Sequence, residues 1–133
     1  MVNAIRAALV AALLIPSVAT AGEAQTETAP AVKATAEALD PWGVESVERS
    51  GDVIEAVIPQ RRIDPDAFAR MVEAACSQHW FHGALEGVEE LRVLSIDRGR
   101  GMVFEGGGAA CEELGEVPSG ALDIAIAGRS RML

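Results

Sequence analysis

Aromatic and lysine side chains are scarce in this 133-residue chain. It contains no tyrosine, three phenylalanines, two tryptophans and a single lysine, Lys33. The other basic residues are arginines, an excess typical of a high-GC bacterial gene, and acidic residues outnumber them to give a formal net charge of −9. Nucleic acids and anionic membrane surfaces attract proteins that carry a positive field. The composition therefore argues against both as partners.

Long apolar runs are also missing, apart from one near the N-terminus. Ala7 to Ile15 is a nine-residue apolar run that follows Arg6 and precedes the small-x-small motif Ala19-Thr20-Ala21. This order of parts is typical of a secretory signal peptide. Nine helical residues would rise only about 14 Å, less than half of a ~30 Å hydrocarbon core. We predict that residues 1–21 are a signal peptide cut after Ala21, which leaves a periplasmic or secreted protein without a stable membrane span.

The next segment, residues 22–40, has little apolar side-chain area. Its sequence GEAQTETAPAVKATAEALD contains one leucine and no aromatic residue. Such a segment buries too little apolar surface to offset the entropy lost on ordering. We therefore predict a flexible Ala/Thr/Glu-rich leader over residues 22–40 and a compact domain over residues 41–133.

The sequence of that domain alternates between strand-like and helix-like patterns. Asp64 and Pro65 are typical of a helix start, the apolar residues that follow recur every three or four positions, and Gly83 is a typical stop. A short second helix follows the glycines 106–108. Strands are predicted at residues 44–49, 52–58, 91–97, 102–105 and 122–127. The order ββα-ββα-β, with short hairpins, predicts an α+β fold: a small antiparallel sheet with helices packed on one face.

Cysteine is limited to two residues, Cys76 and Cys111. A pair of thiols in an oxidising compartment usually forms a disulfide. Cys76 lies on the apolar face of the predicted long helix, and Cys111 lies early in the second helix. A redox-active pair would favour Cys-x-x-Cys spacing, which is absent. We predict a structural Cys76–Cys111 disulfide.

The heptapeptide CSQHWFH places Cys76, His79 and His82 at three-residue spacing. On a helix, the first and last of these would lie about 9 Å apart along the axis, whereas zinc holds its ligands at ~2.0–2.3 Å. We therefore interpret the two histidines as helix-end residues near free carbonyl groups. Trp80 and Phe81 are then expected to pack the helix end onto the sheet. The alternative is a Cys/His metal-binding protein that uses His79 and His82.

Other motifs are weaker indicators of function. The glycines 106–108 could cradle a phosphate, but a P-loop Lys-Ser/Thr pair and dinucleotide spacing are both absent, so a tight strand-to-helix turn is favoured. Arg98 and Arg100 lie at a hairpin tip, where solvent exposure is the usual state. No serine lies in a nucleophile-elbow sequence.

We expect a small exported non-catalytic binding or envelope-accessory protein with a protein or small-molecule partner and no cofactor. A small periplasmic hydrolase, with residues that meet only in three dimensions, is a further alternative.

Overall fold

A computed structural model describes residues 30–133 of the chain. The α-helices within this range are α1 (Pro30–Leu39), α2 (Pro65–His82), α3 (Gly107–Leu114) and α4 (Leu122–Ala127). The strands are β1 (Ser46–Ser50), β2 (Val53–Val57), β3 (Glu90–Leu94), β4 (Gly101–Glu105) and β5 (Ser130–Met132). The predicted signal peptide, residues 1–21, and the first part of the predicted leader, residues 22–29, lie outside the described residues.

The strands form one sheet in the order β1-β2-β3-β4-β5. Three neighbouring pairs are antiparallel, whereas β2 and β3 are parallel. Parallel neighbours need a crossover rather than a hairpin, and α2 supplies it. The predicted α+β class is confirmed. The expected antiparallel pairing is confirmed for three neighbouring pairs and is wrong for β2 and β3, because an 18-residue helix separates these strands and lets the chain return in the same direction.

The hydrophobic core lies between the helices and one face of the sheet. Alternate residues of the three central strands point into it, and all four helices contribute to the same cluster, which confirms that the helices pack on one face. The strand residues in this cluster are Ile54, Ala56, Leu91, Val93, Met102 and Phe104. The opposite face carries charged side chains, and Arg131 there approaches Glu105 at 2.6 Å and Glu90 at 3.9 Å.

The segment predicted as the second half of a flexible leader is instead helix α1. Ala31 and Leu39 are 2% and 0% exposed, and α1 packs against α2 and β1. A ten-residue helix is marginal alone in water, so its stability comes from this packing. The leader prediction is therefore wrong for residues 30–40, and the compact domain begins before residue 41. The composition of this segment did not indicate a packed helix, because each buried alanine adds little apolar area.

The prediction of a last strand at residues 122–127 is also wrong. These residues form helix α4, and the last strand is Ser130–Met132, which pairs with β4. The sequence LDIAIA alternates in hydrophobicity, which suggested a strand. Leu122 and Ile126 are the buried residues of this segment, and their four-residue spacing is that of one helix face.

Helix α2 has the boundaries that its sequence predicts. The Asp64 carboxylate accepts a hydrogen bond from the Ala67 amide at 3.0 Å, and Pro65 occupies the first turn. At the other end, Gly83 adopts a left-handed conformation with φ of 65° and donates its amide to the His79 carbonyl at 2.7 Å. His79 and Trp80 therefore lie in the last turn of α2, beside α3.

Cys76 of α2 and Cys111 of α3 have sulfur atoms at disulfide distance and Cα atoms 5.1 Å apart. The predicted disulfide within the α+β fold is confirmed. The glycine turn before α3 brings that helix close to the loop after α2: a Cβ atom on Gly107 would collide with the Val88 carbonyl oxygen. Between residues 30 and 133, no helix combines the length and apolar composition that a membrane crossing requires.

Candidate ligand-binding cleft

A cleft with a volume of about 940 Å³ opens between the end of α2 and the segment that runs from α3 to α4. We call it the Trp80 cleft. Within the described part of the chain, its lining combines an indole ring, several aliphatic side chains and four glutamates, and it includes no lysine or arginine. The lining residues are Glu73, His79, Trp80, Gly83, Glu86, Glu112, Leu114, Gly115, Glu116, Val117, Ser119 and Leu122.

The indole of Trp80 forms one wall of the cleft. Its Nε1 donates a hydrogen bond of 2.6 Å to the Cys111 carbonyl oxygen. Gly115 permits this approach, since a Cβ atom there would lie 3.1 Å from Trp80 Nε1. Trp80 remains 39% exposed and Phe81 is 78% exposed. The expectation that both rings pack onto the sheet is therefore wrong: Trp80 lies against α3, and Phe81 faces solvent.

His79 is buried at the base of the cleft and binds two other segments. Its Nδ1 accepts the Leu85 amide hydrogen at 3.1 Å, and its Nε2 lies 3.1 Å from the Glu112 carboxylate. A nitrogen that accepts an N–H carries no proton, so Nε2 carries the hydrogen and donates to Glu112. His79 lies in the last turn of α2, as predicted, but its ring contacts an amide and a carboxylate rather than the carbonyl groups expected there.

This hydrogen bonding limits the chemistry open to His79. Metal binding or general-base catalysis needs a free imidazole lone pair, and the one lone pair is used by the Leu85 amide. A hydrolytic triad would need a nucleophile at the position that this amide occupies. His82, the other histidine of the metal alternative, is exposed on the last turn. Within residues 30–133, no group of three or more His, Cys, Asp or Glu side chains is arranged to hold a metal ion.

The carboxylates of the cleft have little local compensation. Glu112 contacts His79, but Glu73, Glu86 and Glu116 have no ion-pair partner within the described part of the chain. Clustered charges of one sign in a cleft reinforce each other's field. The Trp80 cleft is therefore a negatively charged site with an aromatic wall.

The glycine segment before α3 forms the tight turn that its sequence favoured. Gly106 and Gly107 have φ angles of 99° and 48°. The amides of Gly106 and Gly108 donate to the carbonyls of Glu89 and Val88 at 2.8 and 3.0 Å. A phosphate bound here would need these amides as donors, but they already form hydrogen bonds within the protein.

In the β3–β4 turn, the Arg98 side chain has an internal contact, whereas Arg100 bonds to Ser95 through its backbone. Arg98 adopts a φ of 61° and approaches Glu55 at 3.7 Å with its side chain about half exposed. In the same turn, the Ser95 hydroxyl and the Gly99 amide donate to the Asp97 carboxylate, and these bonds hold its pKa below the ordinary value. At the other end of β3, a hydrogen bond with Asp52 raises the pKa of Glu89.

Sequence reasoning singled out Trp80 and His79 but not the glutamates that surround them. Glu73, Glu86, Glu112 and Glu116 come from α2, from the loop that follows it, and from α3 and its exit. No spacing rule links them, and they are four among 20 acidic residues. Comparisons with protein families, curated proteins and solved structures find no match for this chain.

Proposed function

We propose that this chain is an exported, non-catalytic binding protein and that the Trp80 cleft is its ligand site. The observation that carries this proposal is the cleft itself. An exposed indole and the aliphatic side chains of Leu114, Val117 and Leu122 lie beside a few carboxylates in one concavity. Binding sites for small ligands typically combine apolar walls with a few polar groups in a volume of roughly 300–1,000 Å³.

The hydrogen bonds of His79 favour binding over catalysis. It is the buried histidine at the cleft, and both of its ring nitrogens serve to join α2, the following loop and α3. Export is supported by the signal-like residues 1–21 and by the cysteine pair, because disulfides persist mainly in oxidising compartments.

Trp80 offers a direct test of ligand binding. The chain has two tryptophans, so Trp42→Phe leaves Trp80 as the sole indole emitter. This variant is titrated with benzyl alcohol, benzylamine and phenylacetate, three probes of similar size but different charge. We expect a saturable fluorescence change with at least one probe, together with amide chemical-shift changes at residues 112–117.

The matched control is Trp80→Ala, followed by the same amide shifts, because it removes the aromatic wall. We expect the shifts at residues 112–117 to be lost in this variant. The proposal is wrong if neither these probes nor a small basic peptide gives a saturable change, or if the shifts induced in the Trp42→Phe protein map away from the cleft.

A further inference from the structure

We infer that the Trp80 cleft recognises a basic peptide segment, with a lysine or arginine side chain among the glutamates and a neighbouring apolar side chain on the aliphatic wall. This inference rests on the proposed binding function and adds the chemical class of the ligand. Charge, the fixed indole ring and the apolar wall each support a different part of it.

Charge complementarity selects a cation. Among the described residues, the cleft is lined by four glutamates and by no lysine or arginine, and Glu73, Glu86 and Glu116 contact no basic side chain. The net charge of −9 on the chain extends the same field outward. Such a field steers cations toward the site and repels anions, including a second copy of this acidic chain.

The indole of Trp80 is positioned before any ligand arrives. Its Nε1 is held by the Cys111 carbonyl, and its edge lies against Gly115. A lysine or arginine within about 6 Å of the face of a tryptophan ring is attracted by the electrons of the ring. Because the ring orientation is already fixed, little side-chain entropy is lost on binding.

The rest of the lining favours a peptide over a simple polyamine. Leu114, Val117 and Leu122 form an aliphatic wall close to the carboxylates, and a volume of about 940 Å³ exceeds the needs of one side chain. A polyamine would satisfy the charges, but its unbranched methylene spacers would cover less of this wall than a leucine side chain beside the lysine. Between residues 30 and 133, no side-chain cluster is arranged for a metal ion, which directs the inference to an organic cation.

The inference is tested with the full exported chain carrying Trp42→Phe. The probes are acetyl-Leu-Lys-Leu-amide, the same peptide with norleucine or glutamate in place of lysine, and spermidine. We expect the lysine peptide to bind about tenfold more tightly than the norleucine peptide, and to weaken as sodium chloride rises from 0.05 to 0.5 M. The glutamate peptide and spermidine should bind more weakly than the lysine peptide.

Two variants test whether the glutamates of the cleft cause the preference for lysine. The double substitution Glu73→Gln/Glu116→Gln should reduce the preference for lysine over norleucine by about fivefold or more. Glu37→Gln, on the exposed side of α1 and outside the cleft lining, should leave the preference unchanged. Because Glu73 and Glu116 are exposed, we expect both variants to fold, and thermal melts verify this.

The outcomes separate the inference from the proposed function. Equal affinity for the lysine and norleucine peptides, or a preference that survives the double substitution, would overturn the charge inference while leaving a binding cleft. Equal affinity for spermidine and the lysine peptide would overturn the choice of a peptide. Failure of every peptide and of all three benzyl-type probes would overturn both proposals.

Discussion

His79 and Glu112, which are 33 positions apart in the sequence, meet through a 3.1 Å contact between Nε2 and a carboxylate oxygen. The two partners differ in burial, with 7% of the histidine side chain exposed against 72% of the glutamate. A hydrogen bond to so exposed a carboxylate contributes little to stability. The energetically important bond of His79 is instead the buried one from the Leu85 amide.

The first prediction follows from this difference. His79→Ala leaves the Leu85 amide without its acceptor, and we expect the free energy of unfolding to fall by about 1–3 kcal/mol. Glu112→Ala and His82→Ala alter exposed groups and should each cost less than about 1 kcal/mol. Urea denaturation of the three variants measures these values. A loss at Glu112 equal to that at His79 would contradict the assignment.

The second prediction concerns the disulfide. Cys76 and Cys111 close a loop of 35 residues, for which the chain-entropy relation gives about 3–4 kcal/mol of stabilisation. The double variant Cys76→Ala/Cys111→Ala should lose stability of that order in urea, and reduced wild type should match it. Two thiols that react with Ellman's reagent in folded protein purified without reductant would show that the bond is absent.

The third prediction compares two glycines with positive φ. At Gly107, an added Cβ would strike the Val88 carbonyl, whereas at Gly51 nothing lies within 4 Å of the added atom. Gly51→Ala should therefore cost only left-handed strain, about 1–2 kcal/mol. Gly107→Ala adds a backbone collision, and we expect about 2–5 kcal/mol in total. Equal melting temperatures for the two variants would show that α3 does not need this close approach.

The fourth prediction tests helix α1. Leu39 is fully buried, so Leu39→Ala should destabilise the protein by about 2–5 kcal/mol. Lys33, on the exposed side of the same helix, serves as the control, and Lys33→Ala should change stability by less than about 0.5 kcal/mol. If residues 30–40 were a flexible leader, both variants would unfold at the same urea concentration as wild type.

The fifth prediction concerns pH. Hydrogen bonds from the Ser95 hydroxyl and the Gly99 amide lower the pKa of Asp97 in the folded protein. A carboxyl whose pKa is lower folded than unfolded contributes stability above its unfolded value, about pH 4, and loses it as the pH falls through the folded value. Wild type should therefore exceed Asp97→Asn in stability at neutral pH, with the difference shrinking below about pH 4. A pH-independent difference would contradict this assignment.

The local sequence determined the helix ends and the turn that depend on contacts within a few residues. The N-cap at Asp64, the proline that follows it and the stop at Gly83 specify the ends of α2 through backbone conformation and hydrogen bonds within a few residues. The glycine turn before α3 is specified in the same way, by positive φ angles at Gly106 and Gly107. The disulfide needed no tertiary information, because two cysteines allow a single intramolecular pairing.

Tertiary structure decided the features that depend on distant partners. Helix α1 is held by packing against α2 and β1, and its alanine-rich sequence resembles that of a solvated segment. The parallel pairing of β2 and β3 depends on where α2 returns the chain. The glutamates of the Trp80 cleft come from separate segments of the chain. The packing of α2 against α3 brings them together, and their spacing in the sequence does not predict it.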